Sequence, residues 1–510
     1  MKRQFSQFST SCSDKERPGV IDSGKMNRAF LSSILLISCL MTPIDTPAEP
    51  EGSLTADLVE KLRDGYEMNS EDRARFNAIS NTDIDTLALN RQIVNGEDGH
   101  FSHRIKTKGV TNQKASGRCW MFAGLNTMRP TVIHELGLEA FEFSAAYLLF
   151  WDKMEKSNLY LEQVIELRDV DRLDREWQLI NDAMIGDGGW WNYVTSLIEK
   201  YGVVPVSVMP ETNSSENTRT MNEVLKRLLL SRASEILKAN EDGKSIEKLR
   251  AQKEDAMKEV YRFLAINLGE PPAEFEWRFE AKQKKNSDSE EKNKNEKPKV
   301  EEEKLSKWTS YTPKRFYETF VGDDLSQLVT LYHDPALKTE GHYCFNRARN
   351  VFGAAEMNFV NVEIDSMKKI AVESVKANQG MWFAVNMGPD QSWEHGLMEI
   401  ELFDYESLFG IEMPLSKATR SRFNAGASNH AMTLMGVDLR DGKPVKWLVE
   451  NSWGEDKGNN GTWTLYDSWF EEYVYTVTVH RDLVPDEILA VFEEEPELLP
   501  TWYPGAMGPE

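Results

Sequence analysis

The spacing of hydrophobic residues changes along the chain and predicts helices first and strands later. Residues 54–90 have the pattern of a charged, mostly helical arm, and residues 100–210 are rich in aromatics and glycines. Residues 221–268 repeat apolar side chains at three- and four-residue intervals, which predicts amphipathic helices. After about residue 380 apolar and polar positions alternate, as is typical of strands. The pattern therefore predicts a protein of mixed helix and strand.

Two stretches carry too little apolar surface to join a core. Residues 282–304 hold eight lysines and seven acidic residues with almost no apolar side chain, which predicts a disordered insertion because such a segment cannot offset its ordering entropy. The tail from Glu493 contains four prolines and can neither continue a helix nor enter the interior of a sheet.

The amino-terminal segment, residues 1–49, is predicted to be a leader and tether. Twelve mainly apolar residues at 30–41 are too few to span a bilayer but suit a signal peptide. Residues 36–39 resemble a bacterial lipoprotein processing site, which would make Cys39 a lipid anchor, and Met26 would then be the start. The alternative is a helix that packs on the folded domain.

Length and charge limit the function classes. A chain of 510 residues is long enough for two or three domains. The 60 basic and 83 acidic residues give a net charge of −23, which argues against binding to nucleic acid or anionic membranes. Four scattered cysteines without a C-x-x-C pair predict free thiols rather than a disulfide scaffold. The histidines do not cluster, so we expect no metal and no cofactor.

One of these cysteines, Cys119, lies at the predicted start of a buried helix. Ser116 can cap this helix, Pro130 is expected to end it, and residues 119–125 are apolar almost all round. Amide donors in a first helical turn lower the pKa of a thiol and favour the reactive thiolate. Gln113 can place its amide donor beside the Cys119 backbone N–H, and two such donors form an oxyanion hole. Because a cysteine here is more often a packing residue, the assignment depends on a base elsewhere.

A predicted β-hairpin supplies that base. A strand begins at His430, turns at Asp441-Gly442 and returns to Asn451, so His430 and Asn451 should come close to opposite each other. The asparagine oxygen can accept from one imidazole nitrogen and leave the other to face a thiol. Trp453 can shield this hydrogen bond from water. Together with Cys119 these residues predict nucleophilic thiol catalysis, whereas a lone histidine on a strand is usually a core or surface residue.

These motifs resemble those of the papain-like cysteine peptidases, and most closely their bleomycin hydrolase and aminopeptidase C branch. The resemblance covers about residues 60–510 and is carried by Gln113, Cys119-Trp120, Asp187-Gly188-Gly189, His430-Ala431, Asn451-Ser452-Trp453-Gly454 and Trp469–Tyr475. It implies an α+β, papain-like fold, in which a helical half carries the cysteine and a β-barrel-like half carries the histidine and the asparagine. It also implies that Cys119 is the nucleophile, His430 the general base and then acid, Asn451 its orienter, and Gln113 the oxyanion donor.

The spacing of the motifs divides the chain. Cys119 and His430 are 311 residues apart, whereas simple papain-like chains show roughly 130–150, so a large helical insertion is expected. The predicted parts are a leader and tether at 1–49, an N-terminal arm at 50–100, a helical half at 101–220, a helical insertion or hook region at 221–375 with a disordered loop at about 282–304, a β half at 376–492, and a C-terminal arm in the active-site cleft at 493–510. The resemblance implies that the insertion builds a homohexameric ring.

The resemblance further implies an aminopeptidase that acts on peptides with a free N-terminus. The terminal carboxylate, here that of Glu510, would meet the ammonium group of the substrate. Gly188 and Gly189 can pair with the substrate main chain. Trp453 is also predicted to bind the substrate. The simpler interpretations are a turn before a helix for the glycines and a frayed end for the tail.

Several alternatives stay open at this point. An endopeptidase or amide hydrolase of the same fold is the main rival, and a nucleic-acid-binding protein or a non-catalytic ring scaffold is more distant. A functional leader predicts an exported protein, either periplasmic or lipid-anchored, whereas the cytoplasm is the usual compartment of the family.

Overall fold

A computed structural model describes residues 50–281, 304–322 and 324–509 of the chain. The predicted leader, nearly all of the predicted disordered loop, and Glu510 lie outside the described residues. The chain divides into two compact units, residues 1–70 and 71–510. In the first unit, helix α1 (Ala56–Asp64) is capped by Thr55, whose hydroxyl accepts from the backbone N–H of Leu58.

Helices dominate the first half of the described chain, as the apolar spacing predicts. The further helices are α2 (Ser70–Ile79), α3 (Ile84–Ala88), α4 (Arg91–Gly96), α5 (Cys119–Leu136), α6 (Ala145–Glu166), α7 (Arg175–Asp182), α8 (Trp191–Tyr201), α9 (Asn213–Glu216), α10 (Arg219–Glu241), α11 (Ile246–Leu268), α12 (Pro313–Phe320), α13 (Ile364–Lys376), α14 (Tyr405–Phe409), α15 (Lys417–Arg422), α16 (Asp467–Tyr473) and α17 (Asp486–Val491). Within the described ranges, no helix combines the length and the apolar character needed to cross a membrane.

Most strands belong to one mixed sheet of twelve strands among the described residues. The strands are β1 (His103–Arg104), β2 (Phe275–Trp277), β3 (Glu280–Ala281), β4 (Lys304–Leu305), β5 (Thr309–Tyr311), β6 (Leu328–Tyr332), β7 (Gly341–Phe345), β8 (Asn358–Asn361), β9 (Met381–Val385), β10 (Gln391–Ser392), β11 (Leu397–Met398), β12 (His430–Arg440), β13 (Lys443–Glu450), β14 (Thr462–Tyr466), β15 (Val474–His480) and β16 (Glu497–Leu499). The sheet order is β10-β11-β14-β13-β12-β9-β15-β6-β8-β7-β16, with β1 beside β12.

The segment between the two halves is not wholly helical, which corrects the expectation of a helical insertion over 221–375. Residues 221–268 do form α10 and α11, and their buried apolar side chains pack into the same core as the helix that begins at Cys119. Residues 328–361, however, contribute β6, β7 and β8 to the large sheet, where β6 pairs with β15. These strands are short and buried, so they lack the long alternating pattern by which sequence identifies a strand.

The tail forms an edge strand rather than a frayed end. β16 lies between Pro496 and Pro500 and pairs in parallel with β7 at the edge of the sheet. Proline is tolerated at this place because an edge strand leaves one row of backbone groups unpaired.

The predicted hairpin is confirmed. β12 and β13 pair in antiparallel register across Asp441 and Gly442, which have φ angles of 51° and 78°. Positive φ at both central residues matches the tight turn favoured by the Asp-Gly sequence. Two register shifts interrupt the ladder, one between Leu434 and Gly436. Bulges of this kind re-aim side chains at the strand end.

Helix α5 is the central helix of the helical half, and its ends differ from the expectation. Its first residue is Cys119, and the N-cap is Arg118 without a side-chain cap. The predicted cap, Ser116, instead donates to the Gln113 carbonyl and accepts from the Arg118 side chain. Pro130 does not end the helix, which runs on to Leu136. Burial of the surrounding helix outweighs the backbone hydrogen bond that proline removes.

Three buried contacts join α5 to the sheet. The Trp382 indole donates to the Trp120 carbonyl over 3.0 Å, and the Thr433 hydroxyl donates to the Ala123 carbonyl over 3.1 Å. Arg129 and Glu450, both almost fully buried, form an ion pair with an N–O distance of 2.5 Å. Burial raises the pKa of Glu450, and the Arg129 charge opposes that rise. The helix that carries the cysteine is thereby fixed to the strands that carry the histidine.

We expect Arg129→Met to lower the free energy of unfolding by about 3–5 kcal/mol, because it leaves the Glu450 carboxylate buried and unpaired. The double variant Arg129→Met/Glu450→Gln should recover part of this loss, and Arg262→Met on the exposed face of α11 should change stability little. Urea unfolding followed by tryptophan fluorescence measures the three variants. Equal stability of Arg129→Met and Arg262→Met would contradict the role of the ion pair.

Candidate active site

Cys119 lies fully buried in the first turn of α5, where the sequence predicts the nucleophile. Its Sγ accepts a hydrogen bond from the backbone N–H of Ala431, with a sulfur–nitrogen distance of 3.4 Å. Ala431 directly follows His430 in strand β12. The first residues of strand β12, which carries His430, therefore meet the first turn of helix α5, which carries Cys119, as the motif pattern predicts.

His430 is buried and held by the predicted asparagine. Its Nε2 is 2.9 Å from Oδ1 of Asn451, and the same oxygen accepts from the Ser452 backbone N–H over 2.8 Å. An acceptor at Nε2 requires that nitrogen to carry the proton, which leaves Nδ1 as a base. Burial lowers the pKa of His430 to about 4, and the hydrogen bond to Asn451 opposes this shift. At neutral pH the ring is therefore uncharged.

Two tryptophans extend from the imidazole toward solvent. The Trp453 ring stacks on His430 with a centroid distance of 4.7 Å, so its observed contact is with the base. Trp393 stacks on the other side of Trp453 with a centroid distance of 4.4 Å and is 47% exposed. The stack shields the His430–Asn451 bond from water.

A short polar network fixes Gln113. Its Oε1 accepts from the Ser452 hydroxyl over 2.7 Å, and its Nε2 donates to the Ser116 carbonyl over 2.6 Å. The side-chain amide is thus oriented by groups on both sides of the cleft. Nε2 carries a second hydrogen, which is the one that a substrate oxygen can accept from.

The loop that carries Gln113 is paired with the segment after Asn451. The Gln113 N–H donates to the Ser452 carbonyl over 2.8 Å, and the Gly454 N–H donates to the Thr111 carbonyl over 3.1 Å. Gly454 has a φ of +82°, and a Cβ there would lie 2.3 Å from Nδ2 of Asn112. Only glycine permits this close pairing, which explains its place in the Asn-Ser-Trp-Gly motif.

A buried carboxylate, Asp187, joins the loop before Cys119 to the Gly188-Gly189 loop. It accepts hydrogen bonds from the Gly117 N–H and the Thr218 hydroxyl, and it forms an ion pair with Lys153. Burial raises the pKa of Asp187, but the Lys153 charge and the side-chain hydrogen bonds from Lys153, Thr218 and Asn222 lower the pKa by more, so the net shift is downward. The carboxylate stays ionised and holds both loops in place.

Gly188 and Gly189 lie against the C-terminal tail. The Gly189 N–H donates to the Pro509 carbonyl over 3.0 Å, and the Gly188 carbonyl accepts from Lys156. A Cβ on Gly508 would lie 2.8 Å from the Gly189 backbone. The backbone edge that the sequence offers to a substrate is therefore occupied by residues 508–509 of this chain.

The structure brings together the predicted residues Gln113, Cys119, His430, Asn451 and Trp453. Gly188 and Gly189 border the same helix, since a Cβ on Gly189 would lie 2.7 Å from the Trp120 ring. Glu510 lies outside the described residues. Sequence reasoning misses the roles of Ser452, Asp187 and Trp393. Ser452 and Asp187 stand within quoted motifs and could have been found, whereas no local pattern identifies Trp393.

No group of three or more histidine, cysteine, aspartate or glutamate side chains is placed to hold a metal ion in the part of the chain that the structure describes.

The arrangement agrees with known proteins. The model of the Peptidase C1-like family matches residues 53–508. The chain belongs to this family. A solved structure of PepW from Lactobacillus rhamnosis HN001 superposes with a TM-score of 0.82 at 32% identity and covers 89% of this chain and 99% of that one. The predicted α+β, papain-like fold and the predicted enzyme class, a cysteine peptidase, are confirmed.

Characterised relatives span nearly the same length. Aminopeptidase C of Lactococcus lactis subsp. lactis is 37% identical over 459 residues, which are 89% of this chain and 99% of the relative. Human bleomycin hydrolase is 34% identical over 436 residues, 83% of this chain and 91% of that protein. These similarities confirm the predicted branch and the predicted function, a cysteine aminopeptidase.

The burial of His430 can be tested by titration. In a Cys119→Ala variant, NMR should give a pKa of about 4 for this ring, and Asn451→Ala should lower that pKa further because the Asn451 bond opposes the shift. The imidazole binds a proton below about pH 6.5 in the unfolded chain but only below about pH 4 in the folded protein. The free energy of unfolding should therefore fall as the pH drops from about 6.5 to about 4. The His430→Gln variant lacks the His430 signal and so identifies it among those of the other histidines. A measured pKa at or above the ordinary value would contradict the buried, uncharged imidazole.

Proposed function

We propose that this aminopeptidase cleaves peptides through a thioester on Cys119. The carbonyl carbon of the substrate is attacked by Sγ, which forms the C–S bond, while the thiol proton passes to Nδ1 of His430. His430 then donates that proton to the departing amine as the C–N bond breaks. It next takes a proton from water, whose oxygen attacks the thioester carbonyl; the C–S bond breaks, the acid leaves and the proton returns to Sγ. The observation that carries this proposal is the contact of Cys119 Sγ with the residue after His430, together with the His430–Asn451 bond.

Electrostatic stabilisation of the tetrahedral intermediate is assigned to two donors. One is the second hydrogen of Gln113 Nε2, whose direction is set by Ser452 and Ser116. The other is the backbone N–H of Cys119 at the amino end of α5, where the helix dipole also favours negative charge. Trp453 is assigned the exclusion of water from the base rather than a direct substrate contact.

The preference for a free amino terminus is assigned to the C-terminal arm. Residues 508–509 already lie along Gly189, which leaves no room there for further substrate residues ahead of the scissile bond. A carboxylate of Glu510 would then pair with the ammonium group of the substrate. The rival proposal, endopeptidase action, requires the arm to leave this edge.

Assembly and localisation are further proposals. Helices α10 and α11 and the β2–β5 region provide a body of the kind that the family resemblance associates with a hexameric ring. Export with processing near Cys39 rests on residues outside the described ranges, and cytoplasmic residence is the alternative. The net charge of −23 continues to argue against nucleic acid as a partner.

Substitution tests the catalytic roles. Cys119→Ala should abolish hydrolysis of an alanyl arylamide, and Gln113→Ala should lower kcat by about 100- to 1000-fold with a small change in KM, because only the transition state loses a donor. Gln252→Ala, on the exposed surface of α11, is the matched control. A kcat for Gln113→Ala within twofold of the wild type would exclude it from the oxyanion hole.

Truncation tests the arm. Deletion of residues 508–510 should lower the preference for free over N-acetylated peptides by about 10- to 100-fold in kcat/KM, the value of a charged hydrogen bond. The variant Glu510→Gln removes the side-chain carboxylate and keeps the terminal main-chain carboxylate, so it shows which of the two groups acts. If free and acetylated peptides keep the same ratio of kcat/KM after truncation, the arm does not select the amino terminus.

A further inference from the structure

A large groove begins on the histidine side of the active site. It has a volume of about 1010 Å³ and is lined by residues of 388–393, 400–406 and 413–416 together with Arg420, Glu472 and Tyr473. Trp393 belongs both to this lining and to the stack on the catalytic imidazole. The Asn429 side chain also exchanges two hydrogen bonds with Met387, which fixes the start of the groove beside His430. The groove is therefore continuous with the site.

The lining is acidic and aromatic. Six acidic residues line the groove, and the one arginine among the described lining residues, Arg420, is already paired with Glu472. The carboxylates are Asp85, Asp390, Glu401, Asp404, Glu406 and Glu472. Glu401 is exposed, while Asp390 is partly buried and accepts from the Tyr473 hydroxyl over 2.6 Å. Such a lining attracts a cationic ligand and disfavours an anionic one.

Two buried polar atoms in the lining have no hydrogen-bond partner among the described residues. One is Oε1 of Gln391, whose side chain is only 9% exposed, and the other is Nε of Arg420 at 3%. An unpaired buried acceptor costs free energy unless a donor arrives. The Gln391 oxygen is thus an unpaired acceptor in the lining, which an N–H group of a ligand meets when the side chain turns toward the groove.

The chemistry of the site determines what fills it. His430 protonates the departing nitrogen, so the part of the substrate beyond the scissile bond leaves on the histidine side. The other end of the cleft is occupied by residues 508–509 beside Gly189. An extended peptide advances about 3.3–3.6 Å per residue. The Trp393 ring lies two stacked-ring spacings of 4.7 and 4.4 Å from the imidazole, a span that two or three extended residues cover.

We propose that this groove binds the leaving-group side of the peptide substrate and selects for lysine or arginine two or three residues beyond the scissile bond. Trp393 contacts the chain, Gln391 accepts from it, and Glu401 and Asp390 attract the cationic side chain. The proposal rests on the proposed aminopeptidase function and extends it, because it names a substrate class.

The test compares two peptides that share the first bond, Ala-Ala-Lys-Ala and Ala-Ala-Glu-Ala. We expect wild-type kcat/KM, from initial release of alanine, to favour the lysine peptide by about tenfold, since several screened charges each contribute a few-fold. The double variant Asp390→Asn/Glu401→Gln should lower the ratio to about threefold or less. The matched control Glu254→Gln/Asp255→Asn, on the exposed surface of α11, should leave the ratio unchanged.

A binding measurement on an inactive variant tests the same preference without peptide hydrolysis. Calorimetry of the same two peptides with the Cys119→Ala variant should show the same preference, and added salt should weaken it. Equal kcat/KM and equal affinity for the two peptides, or a ratio that the groove variant and the control share, would overturn the proposal. Failure of the aminopeptidase function has a different signature, namely equal cleavage of N-acetylated and free peptides.

Discussion

The hydrogen bond between His430 and Asn451 is the interaction on which the rest of the site depends. It fixes which imidazole nitrogen holds the proton, and it exists only inside a cleft that excludes water. Burial without this partner would leave a ring whose tautomer and orientation are undetermined. The register of the β12–β13 hairpin places His430 and Asn451 diagonally rather than face to face: Thr433 pairs with Glu450, and the two register shifts nearer the turn cancel each other.

That bond requires a rigid frame, because its members belong to one half of the fold and the thiol to the other. The frame is built from buried polar contacts: Arg129 with Glu450, Thr433 with the Ala123 carbonyl, and Asp187 between two loops. Each such group is costly to bury alone and favourable only when fully paired. Hydrophobic packing would tolerate small sliding of one half on the other, whereas paired groups at 2.5–3.1 Å would not. The buried ion pairs thus contribute geometry more than stability.

Sequence was sufficient to predict that Cys119, His430 and Asn451 come together and that a hairpin carries the last two, because each depends on neighbours a few residues away or on a fixed motif. It failed where distant contacts decide. Pro130 predicts a helix end, yet packing on both sides carries α5 through it. Ser116 is a residue type that often caps helices, but its hydroxyl donates to the Gln113 carbonyl instead. Strands β6 to β8 are buried and short, so no alternation marks them. Asp187 stands in a motif, but only the fold shows that it is buried among hydrogen-bond donors.

The two ends of the cleft are lined differently. At the helical end, backbone of the chain itself fills the place along Gly189, and the contact is so close that Gly508 admits no side chain. At the strand end, the lining is open, acidic and incompletely hydrogen-bonded. Under the proposed function, a substrate would lie with its amino end toward residues 508–509 and extend past His430. In that proposal the direction of binding follows from the asymmetry of the cleft, because the Cys119–His430–Asn451 arrangement does not by itself limit the length of chain on either side.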